Sequence, residues 1–174
     1  MELAAAIVGA LLGAIAALVA SLYIAREADR RNSTAQVVAE FLSDEFLAHR
    51  ISVSHTRRKR DAGSVSIEEI ARGYWFPGGG NSYQGDTYRD MNEHQHIEAY
   101  IGFLIRVEYL ATRRRLNVPE LSAVIGMTLQ YHMQIMRQVA AEARRQAEEA
   151  DVKVPTWIGA AEFVDQCVVQ PAFR

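Results

Sequence analysis

Arg89 stands five residues before His94 and seven before His96 in the stretch Arg89-Asp90-Met91-Asn92-Glu93-His94-Gln95-His96, giving an R-x4-H and an R-x6-H together. A guanidinium holds a phosphate through paired charge-assisted hydrogen bonds, and an imidazole moves protons near neutral pH. Arg89, His94 and His96 are therefore the candidate catalytic residues. Arg50 and His55 repeat the spacing, so the pattern arises cheaply. The plain alternative puts His94 on the core face of a helix, in line with Ile97 and Ile101. Glu93 and His96 also have the E-x-x-H spacing with which di-iron bundles place a carboxylate and an imidazole on one helical face. Such a site needs a second E-x-x-H and two further glutamates. The sequence has no second copy, so no metal and no cofactor is expected. His132 is read as a hydrogen-bonded core histidine.

Arg57-Arg58-Lys59-Arg60 forms a basic patch with the chemistry to meet anionic headgroups, RNA or a partner protein. Phe76-Pro77-Gly78-Gly79-Gly80-Asn81 has the glycines of a phosphate-cradling loop. No strand precedes it and no Lys-Ser/Thr closes it, so it reads as a connection between helices. Cys167 is the single cysteine, and no nucleophile has a base beside it. The net charge of −2 and pI near 6.2 exclude a global field drawing the chain onto nucleic acid.

The element that positions all of this begins at the N-terminus. No charged residue occurs from Leu3 to Ile24, and 22 residues at the helical rise reach about 33 Å, against a hydrocarbon core of about 30 Å. A transmembrane helix over residues 1–25 is predicted, with a helical domain over 26–174. Every fourth residue in the span is small: Ala5, Gly9, Gly13, Ala17 and Ser21. Lipid gives helices no hydrophobic reason to associate, so such a ladder points to close helix packing and a homo-oligomer in the bilayer. A cleavable signal peptide is the rival, but no basic segment precedes the apolar run. Arg26, Arg30 and Arg31 follow it, which places the N-terminus outside and the domain in the cytoplasm.

The rest reads as all-α. Val37, Val38, Phe41, Leu42, Phe46 and Leu47 have the spacing of an amphipathic helix that starts near Ser33, is continuous with the span, and stops at Gly63. That rod would carry the basic patch some 45 Å from the bilayer, at about 1.5 Å per residue. Ser66 and Glu69 have capping-box spacing for a helix to about Trp75. The next helix is expected from Asp86 or Thr87 to about Leu116. Ile97, Ile101, Leu104 and Ile105 form one buried face, with Tyr100, Phe103, Val107 and Leu110 forming another. Asn117 caps a long helix with Pro119 in its first turn and Leu121, Ile125, Thr128, His132, Ile135 and Val139 inside. Pro155 and Thr156 open a last helix with Trp157, Phe163, Val164 and Val168.

The R-x4-6-H stretch, with a polar residue after its arginine, resembles the signature of HEPN ribonucleases, all-helical proteins in which two protomers pair their Arg and His over RNA. That resemblance implies that Arg89 holds the phosphate while His94 moves the proton for attack by the 2′-OH. The span, Val107-Glu108-Tyr109-Leu110 before a basic run, Asn117-Val118-Pro119-Glu120-Leu121, and the long helix before Pro155-Thr156-Trp157 resemble uncharacterised single-pass bacterial membrane proteins. The layout is also similar to the HEPN-like membrane accessory protein of type VI CRISPR systems, a pore-forming ring in the inner membrane. This second resemblance implies a role in antiphage defence, with RNA or a CRISPR effector as partner. A membrane-tethered ribonuclease and a scaffold recruiting a soluble partner are the two rival readings.

Overall fold

The computed structural model describes residues 2–75 and 91–169, with side chains over 11–73 and 91–169. All regular structure among the described residues is helical: α1 (Glu2–Leu42), α2 (Asp44–Asp61), α3 (Ile67–Trp75), α4 (Glu93–Thr112), α5 (Val118–Glu149) and α6 (Thr156–Val164), followed by a π-helical turn (Asp165–Val169). The expected all-α class is what the chain adopts.

Helix α1 has two environments along one uninterrupted axis. From Leu11 to Ile24 its apolar side chains are exposed on every side, as at Leu11 (58 %), Leu18 (60 %) and Ile24 (67 %). The helix is long and apolar enough to cross a membrane. Beyond Glu27, which pairs with both Arg30 and Arg31, the same helix enters the domain and buries Thr34, Val37 and Phe41. No glycine or proline lies between Gly13 and Leu42, and the helix passes the expected span boundary without a break.

The rod ends earlier than its hydrophobic pattern implies. Ser43 leaves the helical conformation (φ −66°, ψ 155°), donates its hydroxyl to the Glu40 carbonyl at 2.7 Å, and accepts from the Phe46 amide. One serine thereby finishes α1 and N-caps α2. The break also rotates the stripe, leaving Leu42 and Leu47 exposed while Phe41 and Phe46 are buried. Around those two rings the core assembles with Tyr100 and Phe103 of α4, at centroid separations from 4.7 to 5.7 Å.

Three helices end in the same motif. In α2, Gly63 (φ 70°) follows the cap, its N–H bonds the Arg60 carbonyl, and the Ser64 N–H bonds that of Lys59. Arg114 (φ 57°) does this after α4 and Asp151 (φ 53°) after α5, with the same paired bonds. Because Arg114 makes this stop, α4 ends at Thr112 and not near Leu116. Its start also differs from expectation. Asn92 accepts from the Gln95 amide while the Gln95 side chain accepts from the Asn92 amide, so a capping box begins the helix at Glu93. Ser66 and Glu69 form the box foreseen for α3.

Helix α4 is central as expected, packing against α2 and α6, and it buries Ile97, Tyr100, Ile101, Phe103, Leu104 and Val107. Ile105 is exposed. In α5 the inner row passes through Leu121, Ile125, Leu129, Met133 and Met136, while Thr128 faces outward. Asn117 does not cap α5 with its side chain; its amide N–H donates to Thr34 Oγ1 at 2.8 Å, and its Nδ2 donates to Glu120. That bond ties the α4–α5 turn to α1. Two more bonds join the same pieces, from Arg115 to Asp29 (3.2 Å) and from Arg30 to the Leu116 carbonyl (3.5 Å).

Candidate functional site

The α2–α4 interface collects the polar chemistry of the domain. Arg89 lies outside the described residues, so the site is built from its neighbours on α4 and from what they meet. His94 and His96 occupy the first turn of α4, two residues apart, and look in different directions. His94 lines an open cleft of about 390 Å³ between α2, α3 and α4, shared with Thr56, Lys59, Glu69, Gly73 and Glu93. Its Nε2 is 3.2 Å from Glu98, one turn further along. A Cβ at Gly73 would sit 3.5 Å from His94 Cε1, so the imidazole lies directly against α3.

His96 turns the other way, onto α2, where its Nδ1 is 2.8 Å from His49 Nδ1. At that distance one nitrogen donates its proton and the other accepts it, so both rings cannot be cationic in this arrangement. Burial is the largest cause lowering the pKa of His49, His96 adds to it, and Glu45 opposes both. Burial likewise lowers that of His96, against a backbone bond to Met91. Phe46 closes the pair with an edge contact on His49.

A turn further along α2 and α4 a second imidazole is fixed. His132 of α5 lies 3.0 Å from the Tyr100 hydroxyl through Nδ1 and 3.2 Å from Ser54 Oγ through Nε2. Ser54 gives its only proton to the Arg50 carbonyl. Nε2 therefore carries the hydrogen, and Nδ1 accepts from Tyr100. Burial, with the charges of Arg50 and Arg57, lowers the His132 pKa to about 4, while burial pushes the Tyr100 phenol well up. His132 is thus the neutral, hydrogen-bonded core histidine that its position on α5 implies.

Glu93 lies beside His94 on α4, yet its carboxylate is bound by α2. It accepts from Thr56 at 2.8 Å and Lys59 at 2.5 Å, with His55 at 3.5 Å. Burial pushes its pKa up, but the hydrogen bonds from Lys59 and Thr56 and the charges of Lys59 and His55 outweigh that, and the carboxyl is held below the ordinary range. The E-x-x-H pair is consequently divided, Glu93 to Lys59 and His96 to His49. Among the described residues no group of three or more His, Cys, Asp and Glu is placed to hold a metal ion.

The basic patch is divided as well. Arg57 stacks on Tyr131 (4.2 Å) and donates to its carbonyl, Lys59 serves Glu93, and Arg60 reaches Gln138 and Asp61. Arg58 alone of the four is exposed. Three of the four cations thus hold α2 against α4 and α5. Of the small-residue ladder, Ala5 and Gly9 lie outside the described side chains, although their backbone is helical. Gly13, Ala17 and Ser21 are exposed, and a Cβ at Gly13 would meet nothing within 4 Å. Ser21 returns its hydroxyl to the Ala17 carbonyl at 2.8 Å. The glycine-rich segment 76–81 falls outside the described residues.

His49, Ser54 and Tyr100 are the site residues the sequence did not single out. His49 is separated from His96 by 47 positions, and only the α2–α4 packing pairs them. No family model, no curated protein and no solved structure matches the chain.

Proposed function

We propose that this chain is a single-pass protein of the bacterial inner membrane, N-terminus outside and domain in the cytoplasm, which self-assembles and acts as a pore-forming or membrane-perturbing accessory in antiphage, CRISPR-type defence. The observation that carries the anchor is the apolar stretch of α1, exposed all round and continuous with a segment buried in the domain. In water that exposed area would far exceed the patches soluble monomers tolerate. A bilayer satisfies it. The pore and the defence role rest on resemblance in layout. RNA or a CRISPR effector is the partner that goes with them. Alkaline phosphatase fused after Arg174 is expected to be inactive, with a cytoplasmic reporter active at the same place. The opposite pattern, or a mature protein lacking residues 1 to 20, overturns the reading.

A membrane-tethered, metal-independent ribonuclease is the second reading, favoured by one observation: His94 lines an open cleft beside Lys59. Purified protein is expected not to cut RNA, and His94→Gln to assemble normally. Cleavage in the presence of EDTA that disappears in Arg89→Ala and His94→Ala would put the enzyme first.

A further inference from the structure

The α4–α5 turn carries Arg113, Arg114 and Arg115, all exposed, about 90 residues along the chain from the span. Folding brings them back to it. Arg115 binds Asp29, the Leu116 carbonyl accepts from Arg30, and the Asn117 amide donates to Thr34, so the turn is docked on α1 at residues 29 to 34. Since α1 is one helix, its rise fixes the height of this turn above the membrane core. Asp29 lies five residues past Ile24, the last large apolar residue before the first charge at Arg26, which is about 7.5 Å along the axis, and any tilt of α1 shortens the distance. The polar layer of a bilayer leaflet is roughly 5 to 8 Å thick. Thr34, at the far end of the contact, is ten residues past Ile24, about 15 Å, so the Arg115 side of the turn stands at the outer edge of the phosphate layer and the Asn117 side beyond it.

Arg26, Arg30 and Arg31 emerge from α1 between about 3 and 10.5 Å past Ile24, along the stretch where Arg115 is bound. Six arginines share it with two carboxylates, Glu27 and Asp29, which engage Arg30, Arg31 and Arg115. Arg26 and Arg114 have no carboxylate partner among the described residues, and Arg113 lies over the Tyr109 ring at 4.4 Å. Arg114 adds a second observation. It holds a left-handed φ of 57°, a conformation that glycine adopts without strain.

We propose that the α4–α5 turn and Arg26 form a cationic collar that binds anionic phospholipid headgroups and seats the domain on the membrane surface. This inference rests on α1 spanning a bilayer. Each arginine near an anionic surface contributes about a fivefold preference at low salt, so a few unpaired guanidinia suffice for selection.

The full-length chain, reconstituted in phosphatidylcholine vesicles with trace spin-labelled phosphatidylglycerol, provides the test. The ratio of immobilised phosphatidylglycerol to immobilised phosphatidylcholine is expected to exceed one severalfold and to decline in 0.5 M salt. Arg113→Gln with Arg114→Gly should lower it severalfold, and adding Arg26→Gln should bring it close to one. Arg58→Gln, on the exposed face of α2 remote from α1's span, should leave it unchanged. Because Arg114→Gly relieves a strained φ, the double variant is expected to keep its melting temperature, which separates lost binding from lost folding. A preference that is absent in the wild type, or that is undiminished in the double variant, overturns the collar alone. Protein that washes out of pure phosphatidylcholine vesicles at alkaline pH removes the membrane anchor and the collar with it.

Discussion

His132 is held between two hydroxyls as a neutral imidazole, and protonating Nδ1 would turn its acceptor for Tyr100 into a second donor. An unfolded histidine titrates near 6.5, whereas His132 in the fold titrates at about 4. Between those values the unfolded chain binds more protons, so stability falls as the pH is lowered from about 6.5 to 4. The loss from this one group amounts to at most about 3 kcal/mol at pH 4. His49 and His96, both lowered, act in the same direction. Thermal melts of wild type and His132→Gln from pH 7.5 to 4.5 check this. The variant starts lower but declines less steeply, and parallel curves would mean that His132 is not a neutral group in the fold. Arg114 gives a prediction of the opposite sign. Placing glycine at its left-handed position removes a conformational strain, and Arg114→Gly should stabilise the domain in detergent by up to about 1 kcal/mol. A lower melting temperature would show that its guanidinium makes contacts worth more than the strain.

Elements here are joined by single polar side chains at their ends. Thr34 is buried and accepts from the Asn117 amide, the bond that docks the α4–α5 turn onto α1. Thr34→Val keeps the shape and removes the acceptor, leaving a partly buried N–H unpaired at a cost of about 1–3 kcal/mol. Denaturant titration measures that loss, and amide exchange at Asn117 should rise with it. Ser43→Ala removes the cap of α2 and should cost about 1 kcal/mol. Which of these ends could be read from the sequence depended on how distinctive their chemistry is. Gly63 as a stop and Ser66 with Glu69 as a capping box are local patterns with few competitors, and both boundaries were legible. The start of α4 was not, because Asp86 and Thr87 are helix-starting residue types too, and only the fold shows that the Asn92–Gln95 box begins the helix. Its end was overrun since Arg114 does the work of a glycine. The Ser43 break was hidden inside an apolar stripe that passes through it without losing period. Pairings across elements, such as His96 with His49 or Lys59 with Glu93, depend on helix packing. A run of four cations reads as a patch until the fold supplies three of them with partners.

At the scale of the whole molecule, the exposed apolar stretch of α1 and the segment buried in the domain belong to one helix, so the two cannot reorient independently without bending α1 or breaking its polar ties to the α4–α5 turn. Association between spans would therefore set the arrangement of the domains. Gly13 is the position to test, because a Cβ there meets nothing within the chain. Gly13→Ile leaves the monomer intact and holds neighbouring helices apart, so the detergent-solubilised protein should shift to smaller species; an unchanged size distribution would assign assembly to the helical domain. If the spans do close a ring through Gly9, Gly13 and Ala17, the lumen is lined from flanking positions such as Ala6, Ala10 and Ala14 and by large aliphatics. No charge from Leu3 to Ile24 is available to hold water. Hydrophobic constrictions of this kind close by dewetting, so expression alone should leave cells polarised, and current should flow only after a trigger rearranges the ring. A polar side chain in the lumen lowers the dewetting barrier. Ala14→Asn should accordingly depolarise expressing cells without a trigger, read with a membrane-potential dye, and Gly13→Ile in the same chain should abolish the leak by dispersing the ring. If Ala14→Asn leaves the potential untouched and phage infection of wild-type cells does too, the pore falls and a membrane-anchored scaffold takes its place.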